Sequence, residues 1–186
     1  MYKNSSLKQY LDDLSAKLPA PGGGSAAALS GALGVGLMSM VCQFTIGKEK
    51  FKDVEGAIKE ILDYVGSSGK RLLELVDEDV EAFKNRDNKK SLEVPLEVCR
   101  LASEAVNLCP DLVKMANPNL ISDVGCAVDL LAAAFNAARL NVEINLKNPF
   151  AILEKENIIK ELNTRSKKIE RVKEEVIKNV REIIRR

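Results

Sequence analysis

The chain has 186 residues, 46% of them apolar and 30% charged, with a formal net charge of +1. That length favours one domain with a sizeable core, and the near-neutral charge offers no general attraction to nucleic acid or to an acidic membrane surface. There is no His and no Trp, and aromatics make up 4%, so imidazole chemistry and His-ligated metal sites are excluded and acid–base work falls to Asp, Glu, Lys, Tyr or Cys.

Helical periodicity runs through almost every long segment. A first helix is expected over Ser6–Lys17, with Leu7, Tyr10, Leu11 and Leu14 on one face. It reads as an amphipathic helix rather than a signal peptide. Pro19-Ala20-Pro21-Gly22-Gly23-Gly24 breaks the chain, and a second helix runs from Ser25 to Ile46 with Gly47 ending it. The stretch Leu18–Gly47 is the longest without a charge. Its richness in Gly, Ala and Ser fits the central helix of a bundle rather than a membrane span.

A third helix spans Phe51–Lys84 with Ile58, Ile61, Leu62, Val65, Leu72, Val76, Val80 and Phe83 on its buried side, and Gly66-Ser67-Ser68-Gly69 is a place for a kink. After the polar turn Arg86–Lys90, a fourth helix covers Ser91–Met115. Pro95 suits its first turns, and Pro110 is expected to kink or shorten it. Asn117-Pro118-Asn119 turns the chain into a fifth helix over Leu120–Leu146, and Pro149 separates it from a last amphipathic helix over 150–186. From Lys147 onward there are twelve Lys/Arg and seven Glu. The apolar stripe Ile158, Leu162, Ile169, Val172, Val176, Val180, Ile183 either packs on the bundle or forms a dimer contact. The fold class is all-α, an antiparallel multi-helix bundle treated as one domain over 1–186. Cys42, Cys99, Cys109 and Cys126 form no CxxC pair and lie in apolar stretches. They read as reduced core residues in a cytoplasmic protein.

Four places invite chemistry. Gly22-Gly23-Gly24-Ser25 leads into the apolar helix, where backbone N–H groups can meet an anion, although Ser25 also fits an ordinary N-cap. In Asp77-Glu78-Asp79, the spacing from Leu72, Val76 and Phe83 puts Asp79 on the buried stripe, where a carboxylate is costly unless paired or used. Asp123, Ala127, Leu130, Ala134, Ala138, Asn141 and Asn145 form one stripe of the fifth helix with polar groups toward both ends. Asp123 also suits helix capping beside Asn119 and Ser122. Thr45-Ile46-Gly47-Lys48 is a turn whose lysine can receive a carboxylate.

Three blocks in this order resemble one family: PAPGGGSAAALSGALGVGLMSMVCQFTIGKEKF, DEDVEAF and NPNLISDVGCAVDLLAAAFNAARLNVEINL. The family is the cyclodeaminase domain of formiminotransferase-cyclodeaminase together with methenyltetrahydrofolate cyclohydrolase. The resemblance implies an all-helical homodimer acting on a tetrahydrofolate that carries a one-carbon group, with no metal, no cofactor beyond that folate, and no nucleic-acid or membrane partner. It implies formiminotetrahydrofolate cyclodeaminase activity, with methenyltetrahydrofolate cyclohydrolase as the alternative on the same scaffold. A non-catalytic folate-binding or helical scaffold protein is the alternative of another class. The carry-over makes Asp79 and Asp123 the catalytic carboxylates. It places Gly22, Gly23, Gly24, Ser25, Thr45, Lys48, Asn119, Ser122, Asn141 and Asn145 against substrate. One departure is plain: only Lys84–Glu93 separates Phe83 from Val94-Pro95, roughly four helical turns short of the family pattern.

Overall fold

The computed structural model describes residues 1–148 and 153–185, and these form six α-helices and no strand. Helix α1 is Leu7–Ser15, shorter than expected and capped by Ser6 Oγ, which accepts the Gln9 N–H at 3.1 Å. It meets the bundle through the turn that carries Tyr10. Leu7 and Leu11, placed on one face with Tyr10 by the sequence, are exposed.

Helix α2, Gly23–Thr45, is the centre of the bundle, held between α3 (Glu55–Lys84) and α5 (Ile121–Asn145). Its small residues set how close the neighbours come. A Cβ on Gly31 would stand 3.1 Å from Leu72 Cδ2, and one on Gly34 would stand 2.7 Å from Leu131 Cγ and 3.2 Å from the Ala127 carbonyl oxygen. The same approaches give the directions. Gly31 faces Leu72 and Gly69 faces Val35, so α3 is antiparallel to α2. Gly23 faces Asn141 and Gly34 faces Leu131, so α5 is antiparallel to it as well.

Helix α3 begins at Glu55 rather than Phe51, because a 3₁₀ turn over Glu49–Val54 precedes it. It is unbroken through Gly66–Gly69, the expected kink. Ser68 is buried there and Ser67 Oγ folds back on the Tyr64 carbonyl at 2.8 Å. Helix α4, Asn88–Met115, also runs through Pro110 without a break. Proline there removes one donor, and packing along α5 holds the rest of the helix together.

The turn between α3 and α4 is three residues, Asn85–Asp87. The Arg86 N–H donates to Phe83 O at 3.2 Å and the Asp87 N–H to Ala82 O at 2.9 Å, a Schellman pattern with Arg86 left-handed at φ 53 where glycine is usual. Asp87 then caps α4 by accepting the Lys90 N–H at 3.0 Å. Phe83, expected to be buried, is exposed beside this turn.

Helix α6, Lys155–Ile184, lays Ile158, Leu162, Ile169, Val172, Val176 and Val180 on α4 and α5. The C-terminal stripe is thus used on its own bundle. Pro149 and the expected helix start at 150 lie outside the described residues. Cys42, Cys99 and Cys109 are buried, whereas Cys126 is exposed on α5, so it is not the core residue expected. Burial pushes the three buried thiols up, Cys42 to about 11 and Cys99 and Cys109 to about 12. They stay protonated and behave as small apolar groups.

The glycines separate packing from propensity. Gly34→Ala gains helix propensity but drives a methyl into Leu131 and the Ala127 backbone, so it is expected to destabilise by about 1–3 kcal/mol. Gly66, with nothing within 4 Å of its Cβ position, is expected to gain about 1 kcal/mol as Ala. Urea unfolding of the two variants beside the parent chain checks both signs.

Candidate active site

Helix α2 starts at Gly23 with Gly22 as its N-cap, so Ser25 is the third helical residue and not the cap. The first turn lies directly against Asp79 of α3. The Ser25 N–H donates to Asp79 Oδ2 at 2.9 Å, and a Cβ on Gly24 would overlap Asp79 Oδ1. Glycine is therefore required at 24 if the carboxylate is to reach the helix N-terminus. Burial drives the Asp79 carboxyl above the ordinary carboxylate range, and the Ser25 N–H pulls the other way without cancelling it.

The three consecutive carboxylates of Asp77-Glu78-Asp79 serve three partners. Asp77, only 4% exposed and thus more buried than Asp79, accepts the backbone N–H groups of Tyr2 and Lys3. Glu78 pairs with Arg71, which also forks onto Glu97 of α4 at 2.7 and 2.8 Å. Asp79 alone of the three meets the glycine-rich turn.

Asn141, from the last turns of α5, lies beside the same turn: its Nδ2 is 3.5 Å from the Cβ position of Gly23 and donates to Ala137 O at 2.9 Å. Asn145 Nδ2 donates to both Ser91 O and Asn141 O at 2.8 Å. Its amide N–H groups thus join α5 to the start of α4 and are not turned to a ligand. Gly22, Gly23, Gly24, Ser25, Asp79, Asn141 and Asn145 thus gather at one end of the bundle.

The other expected residues do not join them. Asp123 lies 18 residues from Asn141, about 27 Å along α5, and because α5 is antiparallel to α2 this puts it at the far end of the bundle. It stands half-buried in the first turn of α5. With it are Thr45, Lys48, Asn119 and Ser122. Thr45 is buried, donates to Val41 O at 2.8 Å and accepts the Asn117 N–H at 3.1 Å, so its hydroxyl ties two elements rather than facing a substrate. Lys48, Asn119 and Ser122 are exposed. The two expected catalytic carboxylates therefore stand at opposite ends of the bundle within one chain.

Two residues were not among the expected site residues. Tyr10, 4% exposed, brings its hydroxyl to 3.2 Å from Ser25 Oγ. Asn117, buried, accepts the Asn119 N–H on its Oδ1 at 3.2 Å and shapes the turn before Asp123. Asn before Pro is a signal for such a turn, whereas nothing distinguishes Tyr10 from the leucines around it. Among the described residues no three His, Cys, Asp or Glu side chains converge as a metal site.

Fold and site together define a class: an all-helical domain that sets a half-buried carboxylate against the glycine-rich start of its central helix. The chain belongs to the formiminotransferase-cyclodeaminase family, whose pattern matches residues 6–87 and 84–168, the two blocks meeting at the α3–α4 turn. It is 37% identical over 170 residues to methenyltetrahydrofolate cyclohydrolase of Methylorubrum extorquens, covering 79% of this chain and 82% of that one. It is 29% identical over 168 residues to formimidoyltransferase-cyclodeaminase of Rattus norvegicus, covering 78% of this chain but 31% of that much longer protein. The crystal structure of formiminotetrahydrofolate cyclodeaminase from Thermotoga maritima superposes with a TM-score of 0.92 at 29% identity, over 99% of this chain and 100% of that one.

Raising the Asp79 pKa means that its protonated form is favoured by folding. The stability it contributes is full below the unfolded-state value of about 3.9 and is lost as pH rises through the higher folded-state value. Asp79→Asn is therefore expected to raise the melting temperature by a few degrees at pH 7, with the gain shrinking toward pH 4. Calorimetry at both pH values checks this, and a variant less stable at pH 7 would show that the charge is welcome where it stands.

Proposed function

We propose that this protein is a folate enzyme acting on the one-carbon unit of 5-formiminotetrahydrofolate, closing it to 5,10-methenyltetrahydrofolate with release of ammonia. The observation that carries the reading is the Asp79 carboxyl, held half-buried against the N-terminus of α2 in a member of this family. N10 attacks the formimino carbon, and the new N10–C bond leaves a proton to lose on N10. The departing nitrogen must gain a proton before the C–N bond breaks and ammonia leaves. A carboxyl whose pKa lies above the usual range can take the first proton and give the second. Its negative form also stabilises the amidinium cation. Family pattern and solved-structure neighbour favour this reading. The 37% identity to a cyclohydrolase favours a second one, in which water attacks the methenyl carbon, Asp79 takes one proton of that water and gives it to N5 as the C–N5 bond breaks, and the water's second proton leaves to solvent as the formyl C=O on N10 forms. Neither route as written needs a metal, and the reduced buried cysteines suit a cytoplasmic protein.

The working unit in this proposal is a homodimer. α2 and α5 are long and apolar enough to cross a bilayer by length and composition, yet only half of each is buried. Leu33 and Phe44 of α2 and Leu140 and Ile144 of α5 are exposed. Helical phase puts them on one side of the α2–α5 pair. A second copy related by a two-fold axis would cover this face with the same face. It would also carry Asp123 and Lys48 of the partner subunit toward the Asp79 end, so that one folate meets Asp79 and Asn141 from one copy and Lys48 and Asp123 from the other.

Absorbance at the methenyl band, with formimino- and methenyltetrahydrofolate supplied separately, distinguishes the two reactions, and no turnover of either would remove the proposal. Asp79→Asn is expected to cut turnover about a hundredfold. The composite site has its own test. Mixing Asp79→Asn with Asp123→Asn protein, unfolded and refolded together, should restore about a quarter of parent activity, because half the dimers then own one intact site of two. Activity no higher than the sum of the two variants would place both carboxylates in separate sites or make the chain a monomer, which light scattering resolves.

A further inference from the structure

Resting on the reading of Asp79 above, we infer that Tyr10, carried by the N-terminal segment, is a positioning residue for this site: its phenol holds the first turn of α2 so that the Ser25 N–H, and not water, meets Asp79. The segment is tied to the same stretch of α3 that supplies the carboxylate. Tyr2 and Lys3 donate their backbone N–H groups to buried Asp77, two residues before Asp79. The Tyr2 ring meets the Tyr10 ring edge-on, centroids 5.3 Å apart at 89°. The Tyr2 hydroxyl donates to Asp13 at 2.9 Å, closing the segment on itself. Its one buried side chain, Tyr10, ends 3.2 Å from Ser25 Oγ, and Ser25 is wholly buried.

The need for such a hold comes from the helix end. The first N–H groups of a helix have no intrahelical acceptor, so Gly23, Gly24 and Ser25 all offer donors to a carboxylate. Glycines at 22, 23 and 24 give this turn little stiffness of its own. Ser25 is the first residue with a side chain by which the turn can be gripped, and the Tyr10 hydroxyl grips it. Tyr10 stays protonated, since burial raises its pKa and the nearby Asp79 charge raises it further. It therefore remains a neutral hydrogen-bonding partner. Removing that hydroxyl frees the turn to rotate and exchanges the Asp79–Ser25 bond for water or the Gly24 N–H.

The test is a double-mutant cycle on the full-length protein, Tyr10→Phe against Ser25→Ala, read in kcat, in KM and in hydrogen exchange. Tyr10→Phe keeps the ring and its packing, so the melting temperature should move by no more than a few degrees. Its kcat is expected to fall roughly tenfold with KM within about twofold. In the Ser25→Ala background the same change should cost less than about twofold, because the hydroxyl acts through Ser25. The Ser25 amide should exchange at least about fivefold faster in Tyr10→Phe while amides in the middle of α4 keep their rates. Equal losses in both backgrounds, or an unchanged Ser25 amide, would overturn the assignment. If neither folate is turned over by the parent chain, the functional reading fails, and the exchange measurement still decides whether Tyr10 holds the turn.

Discussion

The contact between Asp79 and the first turn of α2 is the constraint on which the rest depends. A helix end offers free N–H groups, and an acid approaching from α3 can use them only if no side chain stands between. Gly24 supplies that gap, and the Asp79 oxygens fill it. The arrangement leaves the carboxyl pulled two ways. Desolvation favours the neutral acid and the Ser25 N–H favours the anion, and desolvation is the larger. A group held in that balance can change protonation state at modest cost, which a chain without histidine can obtain from a carboxylate.

The same economy of side-chain volume runs along the whole of α2. Gly31 admits Leu72 and Gly34 admits Leu131, so two long helices press against it from different sides. Close packing of α3 fixes the height of Asp79 relative to the α2 N-terminus. Close packing of α5 fixes Asn141 beside Gly23. A wider spacing on either side would leave the carboxylate short of the Ser25 N–H or move the amide away from the turn. The packing glycines in the middle of the helix therefore belong to the site as much as the glycines at its start, although they stand about two to three turns away from it.

The helical class and nearly all element positions were legible because the signals are local: apolar period, Pro and Gly at breaks, Asn-Pro at the turn before α5. What was not legible is what depends on other elements. Periodicity puts Asp79 on the apolar stripe, yet Asp77 is the more buried, because the N-terminal residues fold over it. Gly66–Gly69 and Pro110 carry strong local signals for a break, and tertiary packing overrides both. The stripe from Asp123 to Asn145 is real in angle. Angle says nothing of height, however, so residues on one face were grouped although they stand at opposite ends of α5. Tyr10 carries no local mark at all, since its partner is fifteen residues away across the glycine turn.

That separation in height bears on what the exposed side of the bundle is for. α2 and α5 are apolar over much more of their circumference than α3 or α4 needs to bury, and the surplus faces outward as Leu33, Phe44, Leu140 and Ile144. A lone chain would do better with polar residues there. The two ends of the α2–α5 pair carry different polar residues, Ser25 and Asn141 at one, Thr45 and Asp123 at the other. An exposed apolar side that runs from end to end, with a different polar set at each end, is a pattern that two antiparallel copies would satisfy together, the apolar side losing its water and each end gaining the other's groups. A substrate with a charged tail at one end and a flat reactive ring at the other makes the same demand. It needs a carboxylate and amides at one place and a cation some distance away, a spacing that one chain of this fold divides between its two ends.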